Sequence, residues 1–252
     1  MKKIGIIGCG WLGLRIADIM SGQYKIYATT TTESKAEELS SKGHNSSVAS
    51  FPDFQLEEKI TRWNEIEDID ILIITIPLSG KSCCASSLYN RLQHLFSFIR
   101  DFKGQMFVMS STGVYPDSPG EYTEENLSSD QVQGERMIKS KYPQANILRL
   151  AGLMGDNRLL KNYNISNLEA PVNHIHYEDI CSVIEKMIEK GSQGKLYNVS
   201  APQHPSKAQV INAQKNLASP EQAVRDGKII LSSKLISDLD FVFKYPDPRY
   251  FH

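Results

Sequence analysis

The sequence predicts an α/β fold, a doubly wound parallel sheet with a small C-terminal substrate-facing portion, and three observations carry that prediction. An apolar run near the N-terminus (Ile4, Ile6, Ile7) meets Gly8, Gly10 and Gly13 and passes at once into a helical pattern. The stretch 70–77, DILIITIP, is almost continuously apolar and β-branched, as a parallel strand buried on both faces requires. From there onward short apolar runs alternate with longer amphipathic ones, the pattern of strand–helix–strand units with right-handed crossovers.

The first of these is the most specific. Residues 8–13 read Gly8-Cys9-Gly10-Trp11-Leu12-Gly13, a G-x-G-x-x-G set between a strand and a helix. In that context the motif marks a Rossmann-type dinucleotide site. Gly8 permits the tight turn out of the strand, Gly10 lets a pyrophosphate approach the backbone, and Gly13 lets the helix pack closely on the strand. The helix then presents unpaired N–H groups and the positive end of its dipole to the phosphates.

The remaining elements follow in order. A helix is expected over 11–21, a strand over 24–29, a helix over 34–42 that stops at Gly43, and a short strand over 45–50 ended by Pro52. Residues 55–66 read as a poorly patterned helix, 70–77 as the buried strand, and 86–101 as a helix with Leu88, Leu92, Leu95, Phe96 and Ile99 on one stripe. A strand over 105–109 runs into Ser110-Ser111-Thr112-Gly113-Val114-Tyr115. Residues 116–129, rich in Pro, Gly, Ser and acids, read as a surface loop whose Glu121, Glu124 and Glu125 are solvated. A helix over 129–140, a strand over 146–150 and a loop region over 155–173 come next. The helix over 177–190 has Ile180, Val183, Ile184, Met187 and Ile188 on its apolar face. A strand over 196–199, a helix over 207–216, a short strand over 228–231 and a turn of helix over 233–238 complete the chain. This gives a dinucleotide-binding core over 1–155, completed by 172–200, and a mostly substrate-facing portion over 156–252, all one continuous unit.

The end of the second strand bears on the cofactor. A cofactor with a free ribose 2′-hydroxyl usually meets an Asp or Glu about 20 residues past the glycines. Here the run is Ala28-Thr29-Thr30-Thr31-Thr32, with no acid before Glu33. Hydroxyls of Thr29 and Thr30 and the charge of Lys35 suit a 2′-phosphate, so NADP is expected over NAD.

Composition excludes other classes. Twenty-eight basic against 29 acidic side chains leave a formal charge of −1, which offers no whole-chain attraction to nucleic acid or an anionic membrane. No apolar run approaches the roughly 20 residues that span a bilayer. Cys9, Cys83, Cys84 and Cys181 show no C-x-x-C spacing and suit a reducing cytoplasm. No His, Cys and carboxylate set has ligand spacing, so no metal is expected.

Six segments in order, GIIGCGWLG (5–13), SSTGVYPD (110–117), ILRLAGLMGDNR (147–158), VNHIHYEDI (172–180), GKLYNVS (194–200) and FKYPDPRYF (243–251), resemble the extended and atypical branches of the short-chain dehydrogenase/reductases. That resemblance implies an NAD(P)-binding oxidoreductase or an epimerase- or dehydratase-like protein. It would act by hydride transfer on a small polar substrate, such as a nucleotide sugar. It also implies that Thr75, Ile76 and Pro77 pass close to the cofactor ribose and nicotinamide, and that Ser110 and Ser111 reach the carboxyl edge of the sheet. Ser111 would polarise the substrate oxygen; from their place in the chain, Arg158 at the start of the irregular stretch is expected to meet an anionic group of the substrate and Asn173 to hydrogen-bond it.

The family's proton relay is a Tyr followed four residues later by a Lys, whose charge lowers the phenol pKa. In the family register the pair falls at Leu127 and Gln131, and no tyrosine of the chain has a lysine four residues on. A substitute donor is therefore expected at Tyr115, at His176 or from a bound water. Two alternatives stand beside this reading. One is a non-catalytic NADP(H)-binding redox or ligand sensor. The other is a β-hydroxyacid or ketopantoate-type dehydrogenase, which shares the glycine motif but has an all-helical second domain.

Overall fold

A strand that is apolar on both sides must find neighbours on both sides, and β1 (Lys3–Ile7) does. A computed structural model describes residues 1–56, 60–78, 85–126, 132–218 and 226–252. β1 pairs in parallel with β2 (Lys25–Thr30), which in turn takes β3 (Asn45–Val48). On its other side β1 pairs with β4 (Ile71–Ile74), which takes β5 (Gln105–Ser111). Three short strands follow outside this ladder or at its end: β6 (Gly120–Tyr122), β7 (Asn146–Leu150) and β8 (Gly152–Met154). β9 (His174–His176), β10 (Leu196–Val199) and β11 (Lys228–Ile230) complete the set.

The central sheet has seven strands in the order β10-β7-β5-β4-β1-β2-β3. The order reverses at β1 and β4, the switch point at whose carboxyl ends doubly wound folds bind ligands. Register matters here: Ile7 stands beside Thr29 on one side and Ile74 on the other, so the three strand ends finish level. All four residues of β4 are buried, as its β-branched run predicts.

The chain forms two units, one of Met1–Ser110, Val132–Ile147 and Lys190–Lys195 and one of Ser111–Gln131, Leu148–Glu189 and Leu196–His252. In the first, α1 (Trp11–Met20) buries Leu12, Ile16, Ala17 and Met20, and α2 (Glu33–Ser41) buries Ala36 and Leu39. α3 (Ala85–Ile99) buries the expected stripe, and α4 (Gln133–Lys141) buries Ile138. In the second, β6 pairs with β11 and β8 with β9, both in parallel. α5 (Tyr177–Glu189) buries the expected apolar face, α6 (Lys207–Gln214) starts with a Ser206/Gln209 capping box, and α7 (Ser233–Leu239) follows.

Three expectations are corrected. The described residues of 55–66 hold no α-helix, only the start of the 3₁₀ turn Asn64–Asp68, because the Trp63 amide donates to the Phe98 carbonyl (3.0 Å) instead of to its own segment. The stretch 116–129 is not wholly loop, since its Gly120–Tyr122 finds a strand partner far downstream. The second unit carries strands, which removes the alternative with an all-helical second domain. Among the described residues no helix is long and apolar enough to cross a membrane.

Candidate dinucleotide site

The glycine turn is held by the two strands that flank β1. Gly8 has φ +87°, and a Cβ there would stand 2.6 Å from Cγ2 of Ile76, so both backbone and packing demand glycine. The Gly8 N–H donates to Oγ1 of Thr29 (3.2 Å), and the Cys9 N–H donates to the Thr29 carbonyl (2.7 Å). From the other side, the Thr75 hydroxyl reaches the carbonyls of Ile7 and Gly8, and its N–H donates to the Ile7 carbonyl (2.9 Å). Gly13 is constrained by packing alone, with a Cβ falling 3.2 Å from the Gly8 oxygen and 3.3 Å from Cγ2 of Ile6.

Gly10 is different. Its φ is −87°, it is exposed, and the nearest atom to an added Cβ is the Gly8 oxygen at 3.9 Å. Among the described residues no packing requires glycine there, whereas a group bound against the backbone would. Gly10 is also the N-cap of α1 and brings no side chain to its first turn. The amides of Leu12 and Gly13 consequently have no intrahelical acceptor and point along the positive end of the helix. The site fits a pyrophosphate.

Thr29 and Thr30 are buried, 0% and 4% exposed, so Thr29 acts by holding the glycine turn rather than by facing solvent. The exposed hydroxyls are those of Thr31 and Thr32, followed by exposed Lys35 in the first turn of α2. Ile76 packs against Gly8, and the Pro77 carbonyl accepts from Nη1 of Arg91 (2.7 Å). Arg91 also grips both carboxylate oxygens of Asp53, a brace on the end of β4 that the sequence does not announce. Burial pushes the Cys9 thiol up to about 12, so it remains a thiol. Trp11 carries the Arg15 guanidinium 3.8 Å over its ring, and Arg15 Nη1 donates to the Trp11 carbonyl (2.9 Å). Ser110 donates to Oε1 of Glu135 (2.6 Å), a carboxylate 7% exposed in the first turn of α4, where the helix dipole favours it.

In the second unit, Ser111 caps the 3₁₀ turn Thr112–Val114, its Oγ accepting from the Gly113 N–H (3.0 Å). That bond uses an acceptor position and leaves the hydroxyl proton available to a substrate oxygen.

Tyr115 and His176 do not fit the expected role of proton donor. Tyr115 is 2% exposed, donates to Oδ1 of Asn198 (2.7 Å) and accepts from Nη1 of Arg149 (2.9 Å). Burial raises its pKa, with Arg149 opposing. His176 is 1% exposed, stacked on Tyr177 at 4.6 Å between centroids and tilted against Tyr245 at 3.9 Å. Its Nδ1 accepts from the Glu178 N–H (3.3 Å), which assigns the proton to Nε2, 3.1 Å from the His252 carbonyl. Both groups are committed to the core.

Asn173 is corrected in the same way: its Nδ2 donates to the Lys228 carbonyl and its Oδ1 accepts from the Ile230 N–H, each at 2.8 Å, so it clamps β11. Arg158 is half-buried and closes a turn on Gly155 by a mutual main-chain pair (3.0 and 3.1 Å). Leu127 and Gln131 lie outside the described residues. Among the described residues no group of His, Cys, Asp and Glu could hold a metal.

Glu124 is not the solvated acid expected from its loop. It is 7% exposed, and its Oε1 accepts from the Asn198 N–H (2.7 Å) while its carbonyl accepts from Arg149 (3.2 Å). The available signal was Arg149 itself, a charge inside the apolar run of β7.

His174 yields a prediction. Its Nδ1 is closed off without a hydrogen-bond partner among the described residues, and burial, with Lys207 nearby, lowers its pKa from 6.5 to about 4. The unfolded chain takes up this proton near pH 6.5 and the folded chain only near pH 4. The stability held by the neutral ring is whole above about pH 6.5 and is lost as pH falls toward about 4. Between pH 7.5 and 4.5, urea unfolding of His174→Phe should lose about 2–3 kcal/mol less than the wild type. Equal losses would remove His174 from the acid sensitivity.

No family model matches this chain. Protein YeeZ of Escherichia coli K12 is 26% identical over 273 aligned residues, covering 98% of each chain. Among solved structures, the yeast methylglyoxal/isovaleraldehyde reductase Gre2 complexed with NADPH aligns over 96% of this chain and 94% of its own, with TM-score 0.73 and 14% identity. The UDP-N-acetylglucosamine 4-epimerase of Bacillus cereus aligns over 99% and 96%, with TM-score 0.69 and 16% identity. These likenesses establish the Rossmann-type fold.

Proposed function

We propose that this chain binds NADP(H) on the N-terminus of α1 and transfers hydride to or from a small polar substrate, a nucleotide sugar being the first class to test. The observation that carries the reading is Gly10, where the chain leaves room that only a bound group would use. The fold it shares with an NADPH complex and with a nucleotide-sugar epimerase supports the same class. When bound, the nicotinamide supplies a hydride donor or acceptor at its C4.

The chain's own residues do the rest. The amides of Leu12 and Gly13 bind the pyrophosphate, and Thr29 and Thr75 keep the turn in shape for it. Thr31, Thr32 and Lys35 take the 2′-phosphate, where an acid would repel it. Ser111 donates its hydroxyl proton as a hydrogen bond to the substrate oxygen. With Tyr115 and His176 engaged in the core, the transferred proton comes from a bound water.

Calorimetric titration tests the cofactor: NADPH should bind at least about tenfold more tightly than NADH, and equal or tighter NADH binding defeats the NADP preference. A screen of nucleotide sugars, followed by NADPH absorbance, tests the reaction. Ser111→Ala should lower turnover at least about tenfold while leaving NADPH affinity unchanged. The engagement of Tyr115 and His176 favours one second reading, a cofactor-holding sensor without turnover. Tight NADPH binding with silence across the screen, both in cofactor absorbance and in chromatography of the sugar products, selects it.

A further inference from the structure

Where a helix would ordinarily cover the sheet between β3 and β4, the described residues supply only the 3₁₀ turn Asn64–Asp68, and aromatic rings occupy part of the space. The Trp63 ring lies against β1, since a Cβ on Gly5 would meet its far edge at 3.0 Å. It stacks on Phe98 of α3 with centroids 5.5 Å apart and planes 13° off parallel, and Phe51 meets Phe98 edge-on at 5.3 Å. Beside the stack lies a cavity of about 1080 Å³ whose walls include Val48, Phe54, Ile60, Arg62, Trp63 and Phe98. No residue of the glycine turn, of the end of β2 or of the end of β4 lines it. It stands away from the glycine turn on the same unit, with its Val48 and Ala49 wall beside Thr30 at the end of β2.

Two observations point to an occupant. Nε1 of Trp63 and Nε of Arg62, on adjacent lining residues, are shut off from solvent with no acceptor among the described residues. Trp63 is 4% exposed, and Arg62 is anchored elsewhere by Nη1 on Glu67 (2.5 Å). An unpaired buried donor costs about 1–3 kcal/mol, so a pair of them on one cavity wall is an unmet demand for an oxygen. The wall also leaves Phe54 65% and Val48 42% exposed, apolar surface that nothing in the described chain covers.

We propose that this cavity is a second small-molecule site, for a compound joining a flat aromatic body to a carbonyl or carboxylate oxygen. The ring enters beside the Trp63–Phe98 stack, covering Phe54 and Val48, and the oxygen accepts from the Trp63 indole and the Arg62 guanidinium. The volume, about 1080 Å³, lies just above the range of ordinary ligand pockets, about 300–1,000 Å³. The site does not depend on the dinucleotide reading.

The test uses the full chain labelled with ¹⁵N and saturated with NADPH, and it reads the indole N–H resonances of its two tryptophans, assigned with Trp63→Phe. The probes are 2-naphthoate, 2-naphthamide and 2-methylnaphthalene, the last lacking an acceptor. At least one of the first two should move the Trp63 resonance downfield to saturation and leave Trp11 in place. Phe54→Ala, a variant of an exposed residue, should weaken that probe at least about tenfold by the same resonance, and Trp63→Phe should do so by calorimetric titration. Failure of both oxygen-bearing probes to move Trp63, movement of Trp11 alone, or equal binding of 2-methylnaphthalene would overturn the proposal.

Discussion

Gly10→Asp is expected to abolish dinucleotide binding and leave the fold at least as stable as before. Among the described residues the Cβ finds no atom nearer than 3.9 Å, and φ is −87°, outside the left-handed region that favours glycine. Aspartate is among the best N-cap residues, worth roughly a few tenths of a kcal/mol over glycine, and its charge suits a helix N-terminus. The same carboxylate occupies the approach of the pyrophosphate, competes for the α1 amides and repels the phosphate charge. NADPH affinity should fall at least about 100-fold, roughly 2.7 kcal/mol, while the melting temperature holds or rises. Gly8→Ala is the contrasting control. With φ +87° and Ile76 2.6 Å from the added carbon, it should lose stability by about 2–4 kcal/mol. The pair separates a glycine kept for a ligand from one kept for the fold. If Gly10→Asp binds NADPH like the wild type, the phosphate site is misplaced.

Arg149→Leu should destabilise the second unit by about 3–5 kcal/mol, the usual cost of leaving a buried charge network without one member. The guanidinium is 2% exposed, donates to the Tyr115 hydroxyl and to the Glu124 carbonyl, and lies 5.4 Å over the Tyr115 ring. Its loss leaves those oxygens short of a donor and the buried Glu124 side chain without the neighbouring positive charge. Urea unfolding measures the loss, and a change under about 1 kcal/mol would mean that the network contributes nothing beyond shape. Tyr115→Phe adds a functional readout. As a core hydroxyl, Tyr115 should cost about 1–3 kcal/mol of stability when removed and leave any turnover unchanged. A loss of turnover without a loss of stability would restore it as a proton donor.

Much of the first unit is legible in the sequence because local and long-range demands agree there. Apolar β1, the glycines and α1 form one contiguous motif, and β4 is apolar on both faces because both faces are covered. The parallel register then finishes Ile7, Thr29 and Ile74 level, which is why two threonines from different strands can brace one turn. Where the two demands part, the sequence misleads. Leu56, Ile60 and Trp63 sit at helical spacing, but the Trp63 amide is claimed by Phe98. Glu124 resembles its solvated neighbours until β10 supplies the Asn198 amide. Tyr115, His176 and Asn173 carry groups that could serve a substrate or the core equally well. Only their partners decide, and those partners lie on segments distant in the chain.

Backbone amide spectra of the ¹⁵N-labelled chain, recorded as NADPH is added, place the ligand residue by residue. Saturable shifts confined mainly to Gly10, Leu12 and Gly13, with a second set at Thr31, Thr32 and Lys35, are the predicted result. Saturable binding that leaves those amides unmoved, or no binding at all, would contradict the assignment of the α1 N-terminus as the dinucleotide site.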